Sequence, residues 1–243
     1  MAPVTSSASI REPSCRVSSL NLVVYLPGLS FFFEVMMVPS AISYTARPFF
    51  DSLRLTPSDP TGEFKIQRYL AANCIMLGFE GVPAFYLNAM FATGNDAEAV
   101  TKNRSNRAIN RHKWSKTEIE RRLKSSHNTE SLVLHSLKKL ISIRKCQPAF
   151  HPNATQFTLQ LDSCFFGIWR QSIDRSQSIF AITNVTHLEQ SLGLSHLNLV
   201  FSDRWFDLIS GDEITNSDSS LSFLPYQTYW ISNECFFNVG ETS

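Results

Sequence analysis

The stretch GVPAFYLNAMFATGNDAEAV (Gly81–Val100), followed by RAINRHKW (Arg107–Trp114), decides how this sequence is read. VPAFY (Val82–Tyr86) is a short run of strand length, apolar at odd and even positions alike. A strand buried on both faces suits a parallel sheet covered by helices. Tyr86 closes the run, so Leu87–Trp114 is expected to be a single connection of more than 25 residues. Strand-to-helix connections usually take about two to six residues, and much longer ones are commonly functional. In parallel α/β barrels the loops after the strands build the active site.

Working outward, Pro60-Thr61-Gly62 precedes EFKIQRYLAANCIMLGF (Glu63–Phe79). Phe64, Tyr69, Leu70, Ala72, Ile75, Met76 and Phe79 approximate one helical face. Gly78, Gly81 and Pro83 end that helix. Downstream, Ser115 and Glu118 form a capping box that opens KTEIERRLK (Lys116–Lys124). A further helix is expected over about Glu130–Cys146, with Arg144 and Lys145 in its last turn and Pro148 ending it. From residue 151 the pattern changes. QFTLQLD (156–162), CFFGIWRQ (164–171), QSIFAITNVT (177–186), DRWFDLISGD (203–212) and LSFLPYQTYWIS (221–232) run at strand length with Asp, Gly and Ser between them. That spacing predicts an antiparallel sheet or sandwich.

Composition excludes several functions. The 243 residues are 43% hydrophobic and carry a formal net charge of +1, so there is no electrostatic case for nucleic acid or an anionic membrane. The five cysteines are Cys15, Cys74, Cys146, Cys164 and Cys235, odd in number and never in a C-x-x-C pair. Neither a zinc site nor a disulfide scaffold is expected, and a reducing, cytoplasmic setting fits best. The six histidines have no metal-ligand spacing, and His135 falls on a helix, where packing or surface exposure is its ordinary role. No phosphate-cradling glycine loop, dinucleotide fingerprint or nucleophile elbow is present, so no cofactor and no metal are expected. LNLVVYLPGLSFFFEVMMV (Leu20–Val38) approaches the length of a membrane span, but Pro27, Gly28 and Glu34 interrupt it. Membrane association is therefore not the expected reading. A membrane-associated structural protein stays open as an alternative on this segment alone.

Lys102 to Lys124 is dense in charge: Arg104, Arg107, Arg111, His112, Lys113, Lys116, Arg121 and Arg122. For Lys116–Lys124 the bland reading holds, a solvated helix with Glu118 and Glu120 pairing part of the charge. Arg107 and Arg111 lie instead on the long connection. An arginine fork gives fixed, paired hydrogen bonds to phosphate, carboxylate or neighbouring hydroxyls.

The ordered set QRYLAANCIMLGFEGVPAFYLNAMFATGNDAEAV, RAINRHKW and LKKLISIRKCQPAFHPNA resembles the C-terminal half of sucrose phosphorylases. It is especially similar to the branch acting on sucrose and related glucosides such as glucosylglycerate, within the alpha-amylase superfamily. G-x-P-A-x-Y resembles the eighth barrel strand, and G-N-D with R-x-I-N-R resembles the phosphorylase branch. W-x-D-L-I-S-G and L-x-P-Y-Q-x-x-W resemble its small C-terminal β domain. The resemblance runs from about Tyr44 to Ser232. It implies retaining transfer of glucose between a sugar and inorganic phosphate, using two carboxylates about 5 Å apart. In the family a third carboxylate assists, and the three come from strands four, five and seven. None of these strands is matched here. No local Asp or Glu is therefore assigned a catalytic role.

The expected fold is α/β plus β: the C-terminal remnant of a (β/α)8 TIM barrel followed by a small antiparallel β domain. The expected divisions are an unmatched leader at 1–40, a partial barrel region at 41–150, the β domain at 151–233 and a tail at 234–243. The resemblance makes Arg111 a contact to the bound glucosyl unit. Asn110 and His112 are lesser candidates, and Asn95 and Asp96 either shape the acceptor side or simply make a turn. Taken alone, the chain is expected to be truncated and inactive, with a partner chain supplying the missing barrel. A non-catalytic sugar-binding module is the alternative.

Overall fold

The computed structural model describes residues 48–197, 204–214 and 220–236. The expected leader, and with it Leu20–Val38, lies outside the described residues. Helices come first: α1 (Phe49–Ser52), α2 (Lys65–Gly78), α3 (Leu87–Met90), α4 (Ala97–Asn103), α5 (Lys116–Leu123) and α6 (Thr129–Cys146). The strands follow: β1 (Thr155–Thr158), β2 (Phe165–Gln171), β3 (Ser178–Asn184), β4 (Gln190–Gly193), β5 (Trp205–Asp207), β6 (Glu213–Ile214), β7 (Ser220–Phe223) and β8 (Thr228–Ser232).

The main sheet has the order β1-β2-β3-β8-β5-β6, and a second, two-stranded sheet pairs β4 with β7. Every described pairing of named strands is antiparallel. Every residue of β3 is buried, because SIFAITN lies at the centre of the main sheet and meets a core on each face. On one face Ile168, Ile179, Ala181 and Trp230 join Tyr69 and Leu77 of α2 and Val133, Leu137 and Leu140 of α6 in a single core. On the other face Phe165, Phe180, Ile182 and Ile231 pack with Leu192 of β4, Phe223 of β7 and Trp205. Alternation along β2 produces this division, since successive side chains of a strand point to opposite faces.

Where helices meet sheet, the join is close and polar. Gly78 ends α2 against Ile168 and Ala181, and a Cβ there would lie 3.1 Å from Ile168 Cδ1. Its carbonyl accepts from Arg170 Nη1 at 3.0 Å. Arg170 Nη2 also donates to the His151 and Ala154 carbonyls, at 2.8 and 3.3 Å. Arg144 Nη2 donates to the Phe79 and Gly81 carbonyls, at 3.3 and 3.1 Å. Two buried arginines thus hold the turn that leads from α2 into the Val82–Tyr86 run.

That run is a correction to the sequence reading. Val82–Tyr86 belongs to no helix and no sheet among the described residues. Val82 is 81% exposed and Tyr86 59% exposed. A strand is defined by hydrogen bonds to a neighbour, and here no described strand lies alongside. Two further differences concern the β region. β4 and β6 were not anticipated, and LSFLPYQTYWIS divides into β7 and β8 about a turn at Leu224–Gln227. Both long helices lie within a residue or two of the expected limits. Half of the expected capping box forms: Ser115 Oγ accepts from the Glu118 N–H at 3.2 Å. The Glu118 carboxylate accepts from Arg121 and Arg122 instead of closing the box.

Candidate functional site

The connection from Leu87 to Trp114 is folded into short elements: α3, then α4, then a 3-10 turn at Asn106–Asn110. Neither α4 nor the 3-10 turn contains a buried residue. Hydrophobic burial therefore contributes little to their order, and polar ties at their base hold them.

Asp96 supplies most of those ties. Its Oδ1 accepts from the Ala99 N–H at 2.8 Å and caps α4. Its Oδ2 lies 2.8 Å from His112 Nδ1. Its own N–H donates to the Ile109 carbonyl at 2.9 Å. The Ala99 N–H, followed by His112, lowers the Asp96 carboxyl below its ordinary value. One residue earlier, the Asn95 N–H donates to the Asp51 carboxylate, and that carboxylate also packs against Gly94. On the far side of Arg111, Asn88 Nδ2 donates to the His112 carbonyl at 2.9 Å. The His112 ring meets Trp114 edge-on at 4.6 Å, and Trp114 Nε1 donates to Thr93 Oγ1 at 3.0 Å. Beneath α3, Tyr69 donates its hydroxyl to the Ala89 carbonyl at 2.6 Å, and burial pushes that phenol up to about 12.

Four of the five expected residues, Asn95, Asp96, Asn110 and His112, therefore sit in or directly beside one tied base, and Arg111 lies between its two halves. Arg111 is exposed, and among the described residues its guanidinium has no hydrogen bond or ion pair. Arg121 and Arg122 behave differently. Both pair with Glu118, and Arg122 also reaches Glu130 at 2.9 Å. The solvated, self-paired helix expected for Lys116–Lys124 is what forms. Asn88, Asp51, Thr93 and Trp114 were not singled out beforehand. The one available signal was Asn88, a lone polar residue in the apolar run YLNAMF, and it is buried.

Two clefts of about 700 and about 640 Å³ run beside α6, and none of the five expected residues lines either of them. Among the described residues no group of three or more His, Cys, Asp or Glu could hold a metal ion. No described helix is long and apolar enough to cross a membrane.

Glucosylglycerate phosphorylase from Allomeiothermus silvanus is 32% identical to the chain over 182 residues, which is 75% of this chain and 30% of that enzyme. Glucosylglycerate phosphorylase from Escherichia coli is 32% identical over 178 residues, 73% of this chain and 30% of that enzyme. Sucrose phosphorylase from Bifidobacterium adolescentis is 28% identical over 141 residues, 58% of this chain and 25% of that enzyme. The chain is a partial homologue of the glucosylglycerate and sucrose phosphorylases. It corresponds to their C-terminal portion and spans about 30% of the length of the glucosylglycerate phosphorylases. No protein-family profile matches the chain.

Solved structures agree on the fold. AmyP in complex with maltose matches with a TM-score of 0.58 at 12% identity, covering 78% of this chain and 40% of that one. Pullulanase from Anoxybacillus sp. LM18-11 matches with a TM-score of 0.54 at 12% identity, covering 78% of this chain and 26% of that one. These likenesses concern fold alone, and they are to alpha-amylase superfamily enzymes. The part of the fold they share with this chain is the helices-then-antiparallel-sheet arrangement described above.

Proposed function

We propose that this phosphorylase homologue forms the glucosyl-facing wall of a retaining glycoside-phosphorylase site, with Arg111 as its principal substrate contact. The observation that carries this reading is the unpaired, exposed guanidinium of Arg111 on a connection whose neighbouring residues are tied down. A planar fork with all its donors free is suited to the paired hydroxyls of a glucosyl unit. Asn110, whose side chain is likewise without a hydrogen-bond partner among the described residues, and His112 flank that contact. Asn95 and Asp96 shape the acceptor side. In this reading residues 41–150 are the last part of a TIM barrel, residues 151–233 its β domain and residues 234–243 a tail. In the same reading the Val82–Tyr86 run, which pairs with no described strand, stands where the last barrel strand would lie, and the rest of the barrel, from a partner chain, supplies the neighbour it lacks.

The nucleophile and acid/base carboxylates belong to strands that this chain does not match, so the chain by itself binds sugar without transferring it to phosphate. Titration calorimetry of the full chain with glucosylglycerate and with sucrose tests the first half. Saturable binding is expected, weakened at least tenfold by Arg111→Ala and not restored by Arg111→Lys, which keeps the charge but loses the fork. Binding indifferent to Arg111 would overturn the assignment. A phosphate-dependent assay for glucose 1-phosphate tests the second half, and robust turnover by the chain alone would overturn it.

A further inference from the structure

We infer that Asp96 is a positioning residue for Arg111, acting through His112, and the inference rests on the glucosyl contact proposed above. Residues 97–111 leave the body of the protein and return to it. Their α4 and 3-10 turn contribute no buried residue, so little but the closure of the segment fixes where Arg111 stands. Closing such a segment costs conformational entropy, and specific bonds at its base must offset that cost.

Asp96 is where the segment closes. The Asp96 N–H bond to the Ile109 carbonyl fixes the chain two residues before Arg111. The carboxylate bond to His112 Nδ1 fixes the residue immediately after it. The other carboxylate oxygen caps the departing helix α4. One side chain thus joins the start and the end of the segment, with Arg111 held between two bonded residues. Asn88 reinforces the same point from the body of the protein through the His112 carbonyl. The Asp96 bond also sets the imidazole: a carboxylate at Nδ1 requires the proton there. His112 Nε2 has no hydrogen-bond partner among the described residues.

A positioning role differs from general support in one measurable way: its effect passes through Arg111. The test is a double-mutant cycle on the full chain, read by calorimetry with glucosylglycerate as the probe. Asp96→Ala is expected to weaken binding about tenfold, whereas in an Arg111→Ala background it changes the residual affinity less than twofold. Asp96→Asn keeps the helix cap and replaces the carboxylate oxygen facing His112 Nδ1 with an amide group, so it falls between. Hydrogen exchange gives a second readout independent of sugar. In Asp96→Ala the Arg111 amide, bonded to the Ala108 carbonyl, exchanges faster while those of α2 and α6 are unchanged. If wild-type chain binds no glucosylglycerate, the proposed function fails and this inference fails with it. If Arg111→Ala weakens binding but Asp96→Ala does not, only the positioning role is overturned. An equal loss in both backgrounds, or unchanged exchange at the Arg111 amide, overturns it as well.

Discussion

Arg170→Met removes the charge that joins sheet to helices while keeping much of the side-chain volume, and it should be among the most damaging single changes in the protein. Arg170 is completely buried on β2 and hydrogen-bonded to carbonyls rather than to a carboxylate, with the Glu80 charge near enough to favour its charged form slightly. Burial, and secondarily the nearby Arg144 charge, hold its guanidinium down to about 10, so it is still charged at neutral pH. Its partners are three carbonyls: Gly78 at the end of α2, and His151 and Ala154 before β1. Methionine leaves the Gly78 and Ala154 carbonyls without a donor, while the His151 carbonyl keeps the Ala154 N–H at 3.0 Å. A buried polar group stripped of its partner costs about 1–3 kcal/mol. Two such groups total roughly 2–6 kcal/mol. Against this, the variant no longer buries a charge, which offsets part of that loss. The net expectation is a loss of about 2 kcal/mol, a sizeable share of a typical domain's roughly 5–15 kcal/mol. Urea unfolding followed by tryptophan fluorescence measures it, since Trp205 and Trp230 are wholly buried. A midpoint displaced at unchanged slope is the expected result. A loss below about 1 kcal/mol would refute the reasoning, because it would mean that water or relaxation satisfies the two carbonyls at no cost.

Other outcomes follow from the same structure. Asp59 forms a buried pair with Arg68 at 2.6 Å. Burial alone would raise the Asp59 carboxyl, but the Arg68 hydrogen bond and the Phe64 and Glu63 N–H groups outweigh it and hold the group at about 2. Its folded value is thus depressed, so the stability it contributes is present above about pH 4 and lost as pH falls toward 2. An acid titration should show that loss in wild type and a smaller one in Asp59→Asn, which is itself less stable at pH 7 by about 3 kcal/mol. Burial pushes the Cys74 thiol up to about 12, so iodoacetamide at pH 8 should leave Cys74 unlabelled in the folded chain and label it after denaturation. Peptide mass mapping decides the point.

The parts of the fold that were legible in the sequence are those whose cause is local. α2 and α6 read correctly because apolar spacing, an ending glycine or proline and terminal charges all act within a few residues. β2 and β3 read correctly because an uninterrupted apolar run places a strand at the centre of a sheet. Val82–Tyr86 has the same local signal, yet it forms no ladder among the described residues, since pairing depends on neighbours and not on the run itself. The site divided in the same way. R-x-I-N-R and G-N-D could be located from the sequence. The bonds from Asp96 to His112 and from Asn88 to the His112 carbonyl could not, because they join residues 16 and 24 positions apart. Asp51 is farther still, 44 positions from Asn95.

Stability and recognition are placed on different residues. Arg170, Arg144 and Arg68 are buried and hydrogen-bonded to carbonyls or to Asp59, and their work is to join segments distant in sequence. Arg111 is exposed and its guanidinium is bonded to nothing described, on a segment that adds no buried residue to either core. A substitution at Arg170 therefore acts on folding and alters the site only by altering everything. A substitution at Arg111 removes no interaction that the folded chain makes with itself. Between the two lies Asp96, half-buried and bonded only within the connection. It is the one position of the three where a change should alter the geometry of the binding segment while leaving both cores intact.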